Sequence, residues 1–108
     1  MPISPLLVDA IPQFAHELEG LLAEQGEPDL TAQVRELRIV DRCRCGDDFC
    51  ATFYTQPKPE GGYGSNHRCI ELTPLEGMPI LDIVNDTIMN VEILFRDEIR
   101  DQFHTILP

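Results

Sequence analysis

The stretch MPILDIVNDTIMNVEILF, residues 78–95, determines the fold that we predict for this chain. Its two apolar runs, 78–84 and 87–95, are dense in β-branched residues, which fit the pleated surface of a sheet. Asn85 and Asp86 lie between the runs and belong to residue types that favour tight turns. The stretch therefore predicts a β-hairpin.

Upstream of this hairpin the sequence predicts another hairpin and a further strand. The strand-like runs 37–45 and 49–56 are separated by Gly-Asp-Asp at 46–48, a turn sequence. The prolines and glycines of 57–66 cannot fill a strand interior, so this stretch is predicted to be a loop. Residues 67–73 are the predicted third strand.

The residues that precede the predicted strands show the spacing of a helix. Apolar residues recur every three or four positions between residues 6 and 22, which indicates one face of a helix. Ser4 is the expected cap of this helix. Pro12 is expected either to kink the helix or to restart it with Asp9 as a new cap.

Two further helices complete the predicted order. Gly26 is expected to end the first helical region, and Pro28 to begin a second, shorter helix. The apolar spacing of residues 96–107 predicts a C-terminal helix. The fold class is therefore α+β: two N-terminal helices, an antiparallel sheet of about five strands with two β-hairpins, and a C-terminal helix.

A length of 108 residues suits one domain. The predicted division is a helical part at 1–36, an antiparallel sheet at 37–95 and the C-terminal helix at 96–108.

The charge balance restricts the partners. The chain has 8 Lys+Arg against 19 Asp+Glu, which gives a formal net charge of -11 at pH 7. Such a surface repels phosphate backbones and anionic lipid, so neither nucleic acid nor a membrane is an expected partner. The first twenty residues contain three prolines and no Lys or Arg, unlike a secretory signal. A cytoplasmic location is therefore expected.

The cysteines are the main candidates for chemistry. Cys43, Cys45 and Cys50 lie close together in the sequence, and zinc prefers four thiolate or imidazole ligands in a tetrahedron. Cys69 or His67 can supply the fourth ligand. The alternative is that the cysteines are small thiols packed under the hairpin. The sequence favours this alternative, so no cofactor is expected and zinc is the competing hypothesis.

The register of the first hairpin decides whether such a thiol cluster forms. With a four-residue turn at 46–49, Cys45 lies opposite Cys50 and the three clustered thiols share one face of the sheet. With a three-residue turn, Cys50 moves to the opposite face.

No catalytic residue is predicted, and the sequence leans against an enzyme. Cys50 or Cys69 with His67 resembles a nucleophile and its base, but no further signature supports the pair. Asp82 and Glu92 interrupt the apolar runs of the second hairpin. Both are expected to be solvated side chains; turned inward, they are candidate acid–base groups.

Arginines are concentrated near the first predicted strand. Four of the eight basic residues lie within ten positions, between residues 35 and 44. They either pair with the acidic helices or form a docking strip for an acidic partner or a second copy. The adjoining loop adds exposed recognition groups. The candidate partner-binding residues are Arg38, Arg42, Arg44, Tyr63, His67 and Arg68.

Three strings in the sequence resemble small acidic bacterial proteins of unknown function. They are CRCGDDFCATFYT (43–55), PKPEGGYGSNHR (57–68) and GMPILDIVNDTIMNVEILFRDEIR (77–100). The segment LDIVNDTIMNVEILFR (81–96) is also similar in pattern to small bacterial domains of unknown function. The resemblance implies a bacterial cytosolic source and a compact α+β domain, and it transfers no site residue.

From these observations we expect a non-catalytic protein-interaction or regulatory module. A core built from 108 residues is small, so a homodimer is the expected assembly. The alternative is a zinc-binding or thiol-dependent protein that uses the cysteine cluster.

Overall fold

The computed structural model describes residues 4–43, 46, 50–57, 64, 66–72 and 78–107. These residues form an α+β fold with a five-stranded antiparallel sheet. The strand order is β1-β2-β5-β4-β3. The strands are β1 (Asp41–Arg42), β2 (Phe53–Tyr54), β3 (His67–Glu71), β4 (Met78–Val84) and β5 (Thr87–Leu94).

The predicted hairpin at 78–95 is confirmed and lies within the sheet as β4 and β5. Asn85 and Asp86 have positive φ angles of 50° and 63°, the backbone that a two-residue hairpin turn needs. Val84 pairs with Thr87 directly beside this turn. The hairpin is therefore formed by local sequence signals.

The upstream strands also pair as predicted, although they are shorter. Asp41 pairs with Tyr54 and Arg42 with Phe53. Residues 37–40, predicted as strand, lie outside β1 because the chain is leaving a short 3₁₀ helix that ends at Glu36.

The caps of the first two helices differ from those predicted, whereas Pro28 begins the next helix as predicted. Leu6 and Ile11 occupy the N-cap positions of the first two helices, so neither Ser4 nor Asp9 is a cap. Pro12 restarts the helix, because a proline is tolerated in the first turn. The helices are α1 (Leu7–Ala10), α2 (Pro12–Glu24), α3 (Pro28–Gln33), and α4 (Asp97–Ile106).

Gly26 ends the α2 region as predicted. Its φ of 75° is left-handed, and its N–H donates to the carbonyl of Ala23 over 3.1 Å. The N–H of Glu27 donates to the carbonyl of Leu22, which completes a Schellman cap. This cap holds Gln25 and Glu27 beside β3, where both contact the edge strand.

Helices α2 and α4 pack on the same face of the sheet. The ring of Phe53 in β2 lies 6.5 Å from that of Phe14 and 4.6 Å from that of Phe103. Strand residues Leu81 and Val91 share this face and are fully buried. Since side chains alternate along a strand, Asp82 and its neighbours in register lie on the opposite face. Within the described residues, no helix is long and apolar enough to cross a membrane.

Candidate metal centre

Three potential metal ligands converge on the sheet face opposite the helices. Cys69 in β3 pairs directly with Asp82 in β4, and directly paired residues of antiparallel strands share a face. His67 precedes Cys69 by two residues, so the strand alternation places it on that face too. Within the described residues, these three form the one group of three or more potential ligands, with ligand atoms within 4.8 Å of one another.

The contacts centre on one carboxylate oxygen. His67 Nε2 lies 2.7 Å from Asp82 Oδ1, and the thiol of Cys69 donates to the same oxygen over 3.1 Å. The distance between Cys69 Sγ and His67 Nε2 is 3.7 Å. A nitrogen, a sulfur and an oxygen therefore face a common point.

These distances are close to those of a zinc site. In a tetrahedron with Zn–N and Zn–O bonds of ~2.0 Å and a Zn–S bond of ~2.3 Å, ligand atoms lie about 3.3–3.6 Å apart. The two hydrogen bonds to Asp82 are shorter than this, because protons now fill the space between the atoms. Replacing those protons by an ion requires only small side-chain rotations.

The same geometry opposes a role as a catalytic triad. In a Cys–His–Asp triad the imidazole faces the thiol with one nitrogen and the carboxylate with the other. Here Nε2 of His67 is close to both groups, and the thiol of Cys69 donates to Asp82 itself. The arrangement therefore suits a shared ion better than proton transfer from thiol to imidazole.

The electrostatics of the thiol agree with this conclusion. The hydrogen bond to Asp82 raises the pKa of Cys69 to about 11, and lost hydration and the charges of Asp82, Glu92 and Glu71 act in the same direction. Without a cation the thiol is protonated at neutral pH and is a poor nucleophile.

Acidic side chains surround the three ligands. Glu71 follows Cys69 by two residues in β3, and Glu92 in β5 lies on the same face, beside Asp82. Burial and the charge of Asp82 raise the pKa of Glu92. The face is therefore negatively charged, which favours a cation.

Asp82 was expected to be solvated, and this prediction is wrong: the residue is only 8% exposed. It lies on the face away from the helices, but His67 and Cys69 cover it from β3. The pairing of β4 with β5 is irregular between Asp82 and Ile83, and such bulges redirect side chains locally. Glu92 is exposed, as predicted.

The structure separates the hairpin cysteines from Cys69. Cys43 follows β1, where its N–H donates to Thr52, whereas Cys69 lies in β3 at the opposite edge of the sheet. Four strand spacings of about 4.8 Å give a separation of roughly 19 Å. The backbone of Cys50 forms an isolated antiparallel β-bridge with Leu94 of β5. Cys45 lies outside the described residues. A single metal site cannot therefore contain Cys43 together with Cys69 or His67, because they lie at opposite edges of the sheet.

The described arginines of the predicted strip bind within the chain. Arg38 donates to the carbonyl of Ser4, and Arg42 donates to the carbonyls of Leu107 and Cys43. These bonds hold chain ends against the sheet. Arg44 and Tyr63 lie outside the described residues.

Arg68 joins β3 to the helical layer. Its guanidinium contacts the carboxylate of Glu27 at 3.1 Å and that of Asp86 at 3.8 Å. The hydrogen bond that the guanidinium donates to Glu27 raises the pKa of Arg68. The side chains of Arg68 and His67 therefore lie on opposite faces of β3.

Comparisons of the chain with protein families, with curated proteins and with solved structures give no match. We therefore derive the function from the described residues.

Proposed function

We propose that this chain is a zinc-binding module in which His67, Cys69 and Asp82 hold the ion. The observation that carries the proposal is the convergence of Nε2, Sγ and Oδ1 within 4.8 Å on one face of the sheet. The donor set itself fits the metal. Thiolate and imidazole are preferred zinc ligands, and a carboxylate completes many such sites.

The donor set also selects among metals. Calcium and magnesium take oxygen ligands almost exclusively, so a site with one sulfur and one nitrogen disfavours them. Zinc accepts nitrogen, sulfur and oxygen together and imposes no geometry through its d-electrons. Zinc is therefore the metal that these three side chains suit best.

Among the described residues, three side chains converge as ligands, which leaves one position of a tetrahedron for a further group. Cys69 is exposed and β3 is an edge strand, so another molecule can approach the ion. This supports a metal-dependent interaction or regulatory module, since structural zinc sites are normally closed by four protein ligands.

The test is a zinc titration of the metal-free, full-length protein in competition with a chromophoric chelator. We expect one zinc per chain. Cobalt substituted for zinc should show a thiolate-to-metal charge-transfer band, which reports sulfur ligation directly.

Two matched variants locate the site. Cys69→Ser should weaken zinc binding by at least on the order of a hundredfold, the upper end of what the loss of an outer-shell partner costs. Cys43→Ser, the same substitution at the other edge of the sheet, should leave it unchanged. If the Cys43→Ser variant loses zinc binding and the Cys69→Ser variant retains it, the proposal is wrong and the zinc ligands are the hairpin cysteines. Thermal unfolding of both variants checks that they remain folded.

A further inference from the structure

We infer that β3 pairs antiparallel with β3 of a second copy of this chain, and that Glu71 of each copy supplies the fourth ligand to the zinc ion held by the other. The inference rests on the proposed zinc site. It names the occupant of the open position and makes dimerisation dependent on the metal.

The first argument is the direction of the backbone groups in β3. The N–H of Leu72 donates to the carbonyl of Pro79 over 3.0 Å, so Leu72 faces β4. Backbone direction alternates along a strand, and thus Ile70 and Arg68 also face β4. His67, Cys69 and Glu71 therefore direct their N–H and C=O groups outward, away from the sheet.

The second argument is the symmetry of the sequence His67-x-Cys69-x-Glu71. In an antiparallel pair with its two-fold axis at Cys69, each Cys69 lies opposite the other and each His67 lies opposite Glu71 of the other copy. The outward N–H and C=O groups of the two Cys69 residues can then form a pair of hydrogen bonds across the axis.

The third argument is the reach of Glu71. Directly opposite residues share a sheet face, with Cβ atoms about 4.5–5.5 Å apart. Glu71 of the second copy is therefore placed beside His67, on the face that carries Cys69 and Asp82. A carboxylate is an accepted zinc ligand, and it closes the tetrahedron. A symmetric dimer then holds two ions, each bound by three residues of one copy and one of the other.

One contact explains why the metal should be needed. Gln25 Nε2 donates to the outward carbonyl of Glu71 over 3.2 Å, so this part of the edge is covered by a side chain. The bond is exposed, and the amide can rotate away. In addition, two chains of net charge -11 repel each other. Zinc supplies positive charge and a bond at the place where the copies meet.

The experiment is the mass in solution of the full-length protein, measured by light scattering coupled to size exclusion. The metal-free protein should be a monomer, and one equivalent of zinc should double the mass. Glu71→Gln should abolish this doubling and weaken zinc binding by roughly tenfold. Glu92→Gln, a matched change on the same face in β5, should leave the zinc-induced dimer intact.

The outcomes separate the two proposals. A zinc-bound protein that stays monomeric overturns the inference and leaves the zinc site standing. A zinc-induced dimer that persists in Glu71→Gln overturns the assignment of the fourth ligand and of this interface. A wild-type protein that binds no zinc overturns the proposed function itself.

Discussion

At the scale of single residues, the state of Cys69 depends on Asp82. The carboxylate oxygen that accepts the thiol proton also contacts His67 Nε2 at 2.7 Å. A negative charge held this close stabilises the protonated thiol and disfavours the thiolate. Once a cation replaces the proton, the negative charge of Asp82 helps to hold that cation. Asp82 therefore disfavours the Cys69 thiolate in the metal-free protein and supports the metal-bound thiolate.

Asp82→Asn should therefore make Cys69 more reactive in the metal-free protein. Asparagine keeps an acceptor oxygen but carries no negative charge, so much of the effect that raises the pKa from 9.0 to about 11 is lost and the thiolate forms at lower pH. Alkylation of Cys69 at pH 8 should become about ten to a hundred times faster. Peptide mass spectrometry measures the rate, with Cys43 and Cys50 as internal controls whose rates should not change. An unchanged Cys69 rate would show that Asp82 does not control the thiol.

At the scale of elements, the β4–β5 hairpin is encoded almost entirely by its own residues. Asn85 and Asp86 are suited to the positive φ angles that they adopt, and the flanking runs supply the buried face. The shorter β1 and β2 are not encoded locally in this way. Their ends depend on the preceding 3₁₀ helix and on the bridge between Leu6 and Arg38, which sequence periodicity does not reveal.

Asp86→Gly should stabilise this hairpin. Glycine adopts the φ of 63° without strain, and the Asp86 carboxylate contributes little because it is 84% exposed. We expect the free energy of unfolding in urea to rise by about 0.5–1 kcal/mol. Asp86→Ala serves as the control and should lower it, since alanine is disfavoured in this backbone. A less stable glycine variant would mean that the contact with Arg68 outweighs the relief of strain.

The candidate site illustrates a limit of local signals in the sequence. The sequence identifies His67 and Cys69 by residue type, as alternative fourth ligands of the hairpin cysteines, and not as ligands of one site together with Asp82. Asp82 was assigned to solvent, since its burial requires the register of β3 against β4 and the irregularity beside Ile83. Register between β3 and β4 depends on the hydrophobic patterns of both strands and on the turn between them, so the residues around Asp82 alone do not reveal its partners.

At the scale of the whole molecule, a ligand that binds the folded chain raises its stability by mass action. Zinc at a hundred times its dissociation constant contributes about 2.7 kcal/mol. For a domain of this size the midpoint of thermal unfolding should rise by roughly 10–20 °C. Differential scanning calorimetry with and without zinc measures the change. The Cys69→Ser variant should show no such shift, and an equal shift in that variant would place the stabilising ion elsewhere.

The strand order has a consequence for the timing of folding. β4 and β5 are neighbours in the chain and form a local hairpin, whereas β2 must find β5 across a long intervening segment. Local pairings form faster than distant ones, because less loop entropy is lost. β3 is also close to β4 in the chain, but as an edge strand it opens at lower free energy than the central pair. The amide protons of β3 should therefore exchange with solvent before those shared by β4 and β5. Metal ligands that lie on both β3 and β4 come together only when these two strands are paired, so a bound ion slows the opening of the outermost strand.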